Sequence, residues 1–155
     1  MKIELRSVMK SFGAHAALAG LTMTVPAGAV YGLVGPNGAG KTTAIRHITG
    51  VLRADSGDVL ADGEPIYENV AVKNRMACIP DEVFYFPQAT INDMMHFYRN
   101  VYPSFDSGRF ERLAEAFPLN RRQPLRRFSR GMKKQAAFWL ALSLRPEVLV
   151  LDEPV

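Results

Sequence analysis

The most specific chemistry in the chain lies in one short run: Gly35, Pro36, Asn37, Gly38, Ala39, Gly40, Lys41 and Thr42. The run fits the pattern G-x-x-x-x-G-K-[ST] without a mismatch. Its glycines let the backbone turn tightly and aim N–H groups inward. A helix starting at Lys41 would add roughly half a positive charge at the same spot. Lys41 supplies a full cation for the β- and γ-phosphates of a nucleoside triphosphate. The Thr42 hydroxyl is the expected Mg²⁺ ligand, and Thr43 can add a contact to a phosphate oxygen. A glycine-rich turn with a chance lysine would not need a strand before it and a helix after it, and both are expected here. By itself the loop specifies a triphosphate but not the reaction.

A second candidate is the apolar run 148–151, which ends in Asp152 and Glu153. Asp152 would hold Mg²⁺ through water. Glu153 points to a different face and can polarise an attacking water as general base. Lys41 and Glu153 are therefore the candidate catalytic residues. Without the upstream loop, the same run would read as a strand ending at the surface. A third candidate is Phe128-Ser129-Arg130-Gly131-Met132-Lys133-Lys134-Gln135. Ser129 can cap a helix, and Gly131 allows a backbone to approach an anion closely. An ordinary capped helix on a basic surface fits those residues equally well.

The elements that must position these groups follow from periodicity. Residues 2–8 and 21–25 alternate, as half-buried strands do. Residues 29–34 are more uniformly apolar, which predicts a strand covered on both faces of a parallel sheet just before the loop. A helix is expected over 41–49. Asp55-Ser56-Gly57 and Asp62-Gly63 mark turns around a short strand, and residues 76–79 form another strand that Pro80 stops. Thr90, with Asp93 three residues on, caps a helix that runs to about residue 102. Further helices are expected over 107–117 and, after Ser129, 131–144. Strands alternating with helices indicate an α/β sheet, and 83–130 reads as a helical lobe.

Composition sets the outer limits. Hydrophobic residues at 48% and charged residues at 22% of 155 exclude disorder and allow one domain with a core. The apolar run 136–142 is too short to cross a bilayer, and the charged first residues do not form a secretion signal. A cytosolic protein able to dock on a membrane protein is expected. The single cysteine, Cys78, excludes an internal disulfide and a cysteine zinc site and reads as a small buried hydrophobe. The net charge of +4 is concentrated at Arg121, Arg122, Arg126, Arg127, Arg130, Lys133 and Lys134, with no acid among them. Such a stripe can attract phosphates, nucleic acid or anionic lipid, or can simply be solvated.

With the three candidates in this order, the chain resembles the ATP-binding cassette (ABC) ATPases. The carrying motifs are G-P-N-G-A-G-K-T-T, then F-S-R-G-M where L-S-G-G-Q is usual, then L-V-L-D-E-P, and the likeness runs over residues 3–154. The resemblance implies an α/β fold: a P-loop NTPase sheet with an antiparallel β edge subdomain and a helical, signature-bearing subdomain. It places the nucleotide-binding core at 1–82 and 146–155 and the helical lobe at 83–145, in a single cassette that lacks the C-terminal part of the fold. It makes Phe12 the ring that stacks on adenine. It implies ATP and Mg²⁺ as cofactors and a dimer in which the signature residues Ser129, Arg130, Gly131 and Met132 face the ATP of the partner chain. Integral membrane permease chains and a second cassette are the implied partners, with no specific nucleic acid. The implied location is cytoplasmic, peripheral on the inner face of the cell membrane.

The departures from the family are specific. Asp81, followed by Glu82, stands where a glutamine usually links the metal site to the membrane partner, and is a further candidate metal ligand. Arg130 replaces a glycine and Met132 a glutamine. The family continues into a dimer-contacting loop and a histidine that contacts the γ-phosphate, both absent here. Phe97-Tyr98, the stretch 102–106 and the S-R-G-M signature resemble bacterial exporter cassettes, and Phe84-Tyr85-Phe86-Pro87 would meet the membrane partner. The alternatives are a soluble ABC ATPase acting on ribosomes or nucleic acid, for which the stretch from Gly35 to Ser129 leaves no room for a coiled-coil insertion, and an inactive truncated remnant. For this stretch alone the expectation is Mg·ATP binding with little turnover, and self-association through an uncovered apolar strand edge. A monodisperse, cooperatively melting monomer in light scattering and calorimetry would contradict it.

Overall fold

Strand β1 (Ile3–Phe12) begins with strict alternation, Ile3 and Leu5 buried and Glu4 half-buried between them. Val8 is also buried, three positions after Leu5, which a period of two does not allow. A bulge at Ser7 resolves the conflict. Its φ is 50°, the register shifts between Leu5 and Val8, and its N–H donates to the Thr22 hydroxyl at 2.9 Å. Strand β3 (Ser56–Ala61) crosses the bulge at Gly57, where a Cβ would overlap the carbonyl oxygens of Arg6 and Ser7. Strand β2 (His15–Val25) pairs with the other edge of β1, and β4 (Glu64–Pro65) follows a tight turn at Asp62, φ 49°. The result is an antiparallel sheet in the order β2-β1-β3-β4. Helix α1 (Lys41–Ile48) buries Ala44, His47 and Ile48, and α2 (Val70–Lys73) buries Val72.

The computed structural model describes residues 1–83, 85–86 and 88–153, and they fall into two units, Met1–Lys73 and one beginning at Asn74. The expected strand over 29–34 does not form: these residues have no regular structure, and Val30 and Val34 are fully exposed at 104% and 94%. An apolar run supplies propensity, but a strand exists only through ladder bonds to a neighbour. No described strand pairs with this run.

The second unit pairs β5 (Met76–Ile79) with β6 (Val148–Leu151) in parallel, Met76 opposite Val148 and Ile79 opposite Leu151. Ala77 and Ile79 face helix α5 (Arg130–Ser143) and cluster with Ala137, Ala141 and Leu144. Cys78, expected to be buried, is exposed, because it points away from that covered face. Helix α3 (Ile91–Val101) opens with the full reciprocal cap: the Thr90 hydroxyl accepts from the Asp93 N–H while the Asp93 carboxylate accepts from the Thr90 N–H. The Thr90 hydroxyl, donating to the Asp93 carboxylate at 2.7 Å, and the Thr90 N–H hold that carboxyl below its usual range. Helix α4 (Ser107–Leu113) brings Phe110 flat against Trp139 of α5, ring centroids 4.7 Å apart, and the indole N–H donates to the Phe110 carbonyl at 2.8 Å. No helix among the described residues is long and apolar enough to cross a membrane.

Trp139 is fully buried at the centre of the helical cluster. Trp139→Ala is expected to lower unfolding stability by about 3–5 kcal/mol through the cavity and the orphaned carbonyl. Urea unfolding checks this, and a loss below about 1 kcal/mol would contradict the assigned role.

Candidate functional site

The phosphate-loop candidates lie in the first unit. Gly38 and Gly40 take left-handed backbone, φ 82° and 83°, and Gly40 leads directly into α1. A Cβ on Gly40 would overlap the Ala17 carbonyl oxygen, so the end of the loop packs against the backbone of β2. One residue before Ala17, Ala16 pairs with Ser11, next to Phe12. Phe12 therefore stands at the hairpin end that the loop touches, with its ring 49% exposed and the Lys10 ammonium 5.6 Å from its centroid. Lys10 is itself paired to Asp55 at 2.7 Å, and Asp55 also accepts from the Ser11 N–H at 2.7 Å. The Lys10 ammonium and that N–H hold the Asp55 carboxyl below its usual range.

Lys41 curls back into the loop, its ammonium donating to the carbonyls of Gly35 at 2.8 Å and Pro36 at 3.0 Å. The first turn of α1 contains no acid. A full cation thus sits at a helix end that is already partly positive, and Gly35, Pro36, Asn37, Gly38 and Ala39 form the loop over it. Thr42 is exposed and Thr43 half-buried. Such an arrangement attracts a polyanion.

The remaining candidates lie in the second unit. Asp152 is half-buried and Glu153 exposed at the end of β6, and the Asp152 N–H extends the parallel ladder to the Ile79 carbonyl at 3.0 Å. Glu153 takes a left-handed φ of 49°. Ser129 caps α5, its hydroxyl accepting from the Met132 N–H at 3.2 Å. Space is open around Gly131, and Met132 packs on the helical cluster. A cleft of about 500 Å³ is lined by Asp81, Glu82, Val83, Arg130, Lys133 and Lys134. Across it Arg130 meets the Asp81 carboxylate at 2.7 Å. Two residues at which the sequence departs from the family pattern are thus bound to each other.

The basic stripe is less open than its charge count suggests. Arg121 clasps Glu111 through two bonds of 2.7 and 2.9 Å, donates to Asn92, and lies over the Phe110 ring at 4.8 Å. Lys134 is buried. Reading the stripe as a block of like charge hid both, and the helical phase of Lys134, three and seven residues before buried Ala137 and Ala141, was the available sign. Tyr85 also turns inward, its hydroxyl donating to the Lys133 carbonyl at 2.8 Å, and burial pushes its phenol far above the usual value. Phe86 is exposed and sits edge-on to Phe97 at 5.5 Å. Phe84 and Pro87 lie outside the described residues.

The sequence pattern of the family described as ABC transporter matches residues 18–155. The chain is 33% identical over 152 residues to the ABC transporter ATP-binding protein YtrB of Bacillus subtilis (strain 168), covering 98% of this chain and 52% of that one. It is 29% identical over 158 residues to the linearmycin resistance ATP-binding protein LnrL of the same organism, covering 98% and 51%. It superposes on a solved ATP-binding subunit of an ABC transporter with a TM-score of 0.88 and 25% identity, covering 99% of this chain and 67% of that one. The chain spans about half the length of the curated relatives it matches.

The Arg130–Asp81 pair is exposed, with 74% and 43% of the two side chains open to solvent. Arg130→Ala is therefore expected to change unfolding stability by less than about 1 kcal/mol. A larger loss in calorimetry would show that the pair holds the fold together.

Proposed function

The chain belongs to the ABC transporter family, and from that premise we propose that it binds Mg·ATP and hydrolyses it to power transport through separate membrane permease chains. The observation that supports this most directly is the positive pole at the start of α1, where Lys41 adds its charge to the helix end and the first turn holds no acid. A triphosphate supplies the missing negative charge. In this reading the loop 35–40 presents N–H groups to the phosphates, Lys41 pairs with the β- and γ-phosphates, Thr43 adds a contact, and Phe12 stacks on the base. Its exposed ring leaves a face open for that purpose.

The oxygen donors suit magnesium. No three His, Cys, Asp or Glu side chains cluster among the described residues, and Mg²⁺ characteristically takes one or two protein oxygens and fills its other positions with water and phosphate. Thr42 is the oxygen ligand the family resemblance offers in the first unit and Asp152 the one in the second, with Asp81 as a further candidate already engaged by Arg130. When bound, the ion would neutralise charge on the phosphates. Glu153 accepts a proton from the water whose oxygen attacks the γ-phosphorus, and ADP leaves. Ser129, Arg130, Gly131 and Met132 would face the nucleotide of a second cassette. Phe86, stacked edge-on to Phe97 at the surface, is the aromatic offered to the permease. A soluble role on ribosomes or nucleic acid draws less support, because Arg121, Arg130 and Lys134 of the basic stripe are engaged within the unit.

Titration calorimetry of the full-length protein tests the reading. Lys41→Ala is expected to weaken Mg·ATP binding about 10- to 100-fold, the equivalent of about 1.5–3 kcal/mol for a charged hydrogen bond. Unchanged affinity would overturn it.

A further inference from the structure

Lys134 stands out because nothing in the packing of α5 requires a charge there. It is only 8% exposed, on a helix whose buried positions are otherwise alanine, tryptophan, leucine and serine. A buried ammonium is costly unless its three protons find acceptors. Its acceptors here are all at one place. It donates to the Glu153 carbonyl at 2.5 Å, reaches the Asp152 carbonyl at 3.5 Å, and has the Asp81 carboxylate at 3.8 Å. Two of these belong to the backbone of the acidic strand end, and the third is the carboxylate that Arg130 also holds.

The backbone it grips is unusual. Glu153 has φ 49°, a left-handed conformation that a side chain of its length rarely adopts. A residue kept in that region needs its surroundings to hold it there. Strand β6 ends at Leu151, and the Asp152 N–H is the ladder's last described bond. Beyond it, among the described residues, the Lys134 ammonium donates to the backbone of the turn in which Glu153 sits.

We propose that Lys134 is a positioning residue for ATP hydrolysis, clamping the carbonyls of Asp152 and Glu153 so that the Glu153 carboxylate is presented to the attacking water. This rests on the role given to Glu153 above. Lys134 touches neither nucleotide nor water in this scheme and acts only through the backbone that it fixes. Its contact with Asp81, itself gripped by Arg130, means that a shift of the Asp81 segment is felt at the strand end through one side chain.

The test uses Lys134→Met in the full-length protein, which keeps the length of the stem and removes the donors. The kcat for ATP hydrolysis is expected to fall about 10-fold, as a misplaced reacting group would cause, while the KM for ATP stays within about twofold. Amide exchange at Asp152 should speed up in the same variant. In a Glu153→Gln background, adding Lys134→Met should cost nothing more, because the two act as one unit. If Lys134→Met does not fold, Lys134→Gln takes its place with the same expectations. Unchanged kcat, a loss confined to KM, unchanged exchange at Asp152, or a full additive loss on top of Glu153→Gln would each overturn the proposal. If Glu153→Gln abolishes turnover and Lys134→Met does not, only the positioning role fails. If Glu153→Gln turns over at the parental rate, the catalytic assignment itself fails, whatever Lys134 does.

Discussion

The first unit holds a cation where a helix end is already positive, and like charge is kept together there by the packing around it. The α1 N-terminus is partly positive because its first N–H groups lack helical partners. Lys41 adds a full charge at that point, and the carbonyls of Gly35 and Pro36 answer it only with dipoles. The surrounding sheet makes this state tolerable by fixing the geometry. The loop end is pressed against Ala17 on β2, so closely that Gly40 cannot carry a side chain. The same hairpin presents Phe12, braced by Lys10 and Asp55. Binding a polyanion is thus a matter of supplying charge to a frame already built, which is the cheaper half of recognition.

In the second unit α5 performs several tasks at once, and its sequence shows how they are divided. One side carries Ala136, Trp139 and Leu140 into the helical cluster. Another carries Ala137 and Ala141 against β5, where small residues let the strand approach. Its first turn carries the capping serine and Arg130, and one turn on Lys134 reaches the end of β6. A rigid helix shared by two clusters gives the cleft and the acidic strand end a common support.

Much of this was legible in the sequence, and the failures have physical causes. Caps are local, so Thr90 with Asp93 and Ser129 announced their helices to within a residue. The glycine turn leading into α1 was equally plain, because turn, cation and helix start are contiguous in the chain. The Ser7 bulge was not, since it depends on Gly57 and Thr22, far away in the chain. Residues 29–34 misled because apolar character says what a segment could pair with but cannot supply the pairing strand. Cys78 misled for a related reason: only one face of β5 is covered. The roles of Arg121 and Lys134 were hidden by proximity to other cations, whose sum of charge conceals which of them has a private partner.

The joining of Asp81 to Arg130 does not bind its two members equally. Taken along the chain, an aspartate for a glutamine and an arginine for a glycine look like separate losses of family character. In space they neutralise each other. Asp81 without Arg130 would still face the Lys134 ammonium at 3.8 Å, whereas Arg130 without Asp81 would lose the carboxylate it holds at 2.7 Å. The arginine is thus the more dependent of the two, since its aspartate keeps a second cation when the arginine is gone.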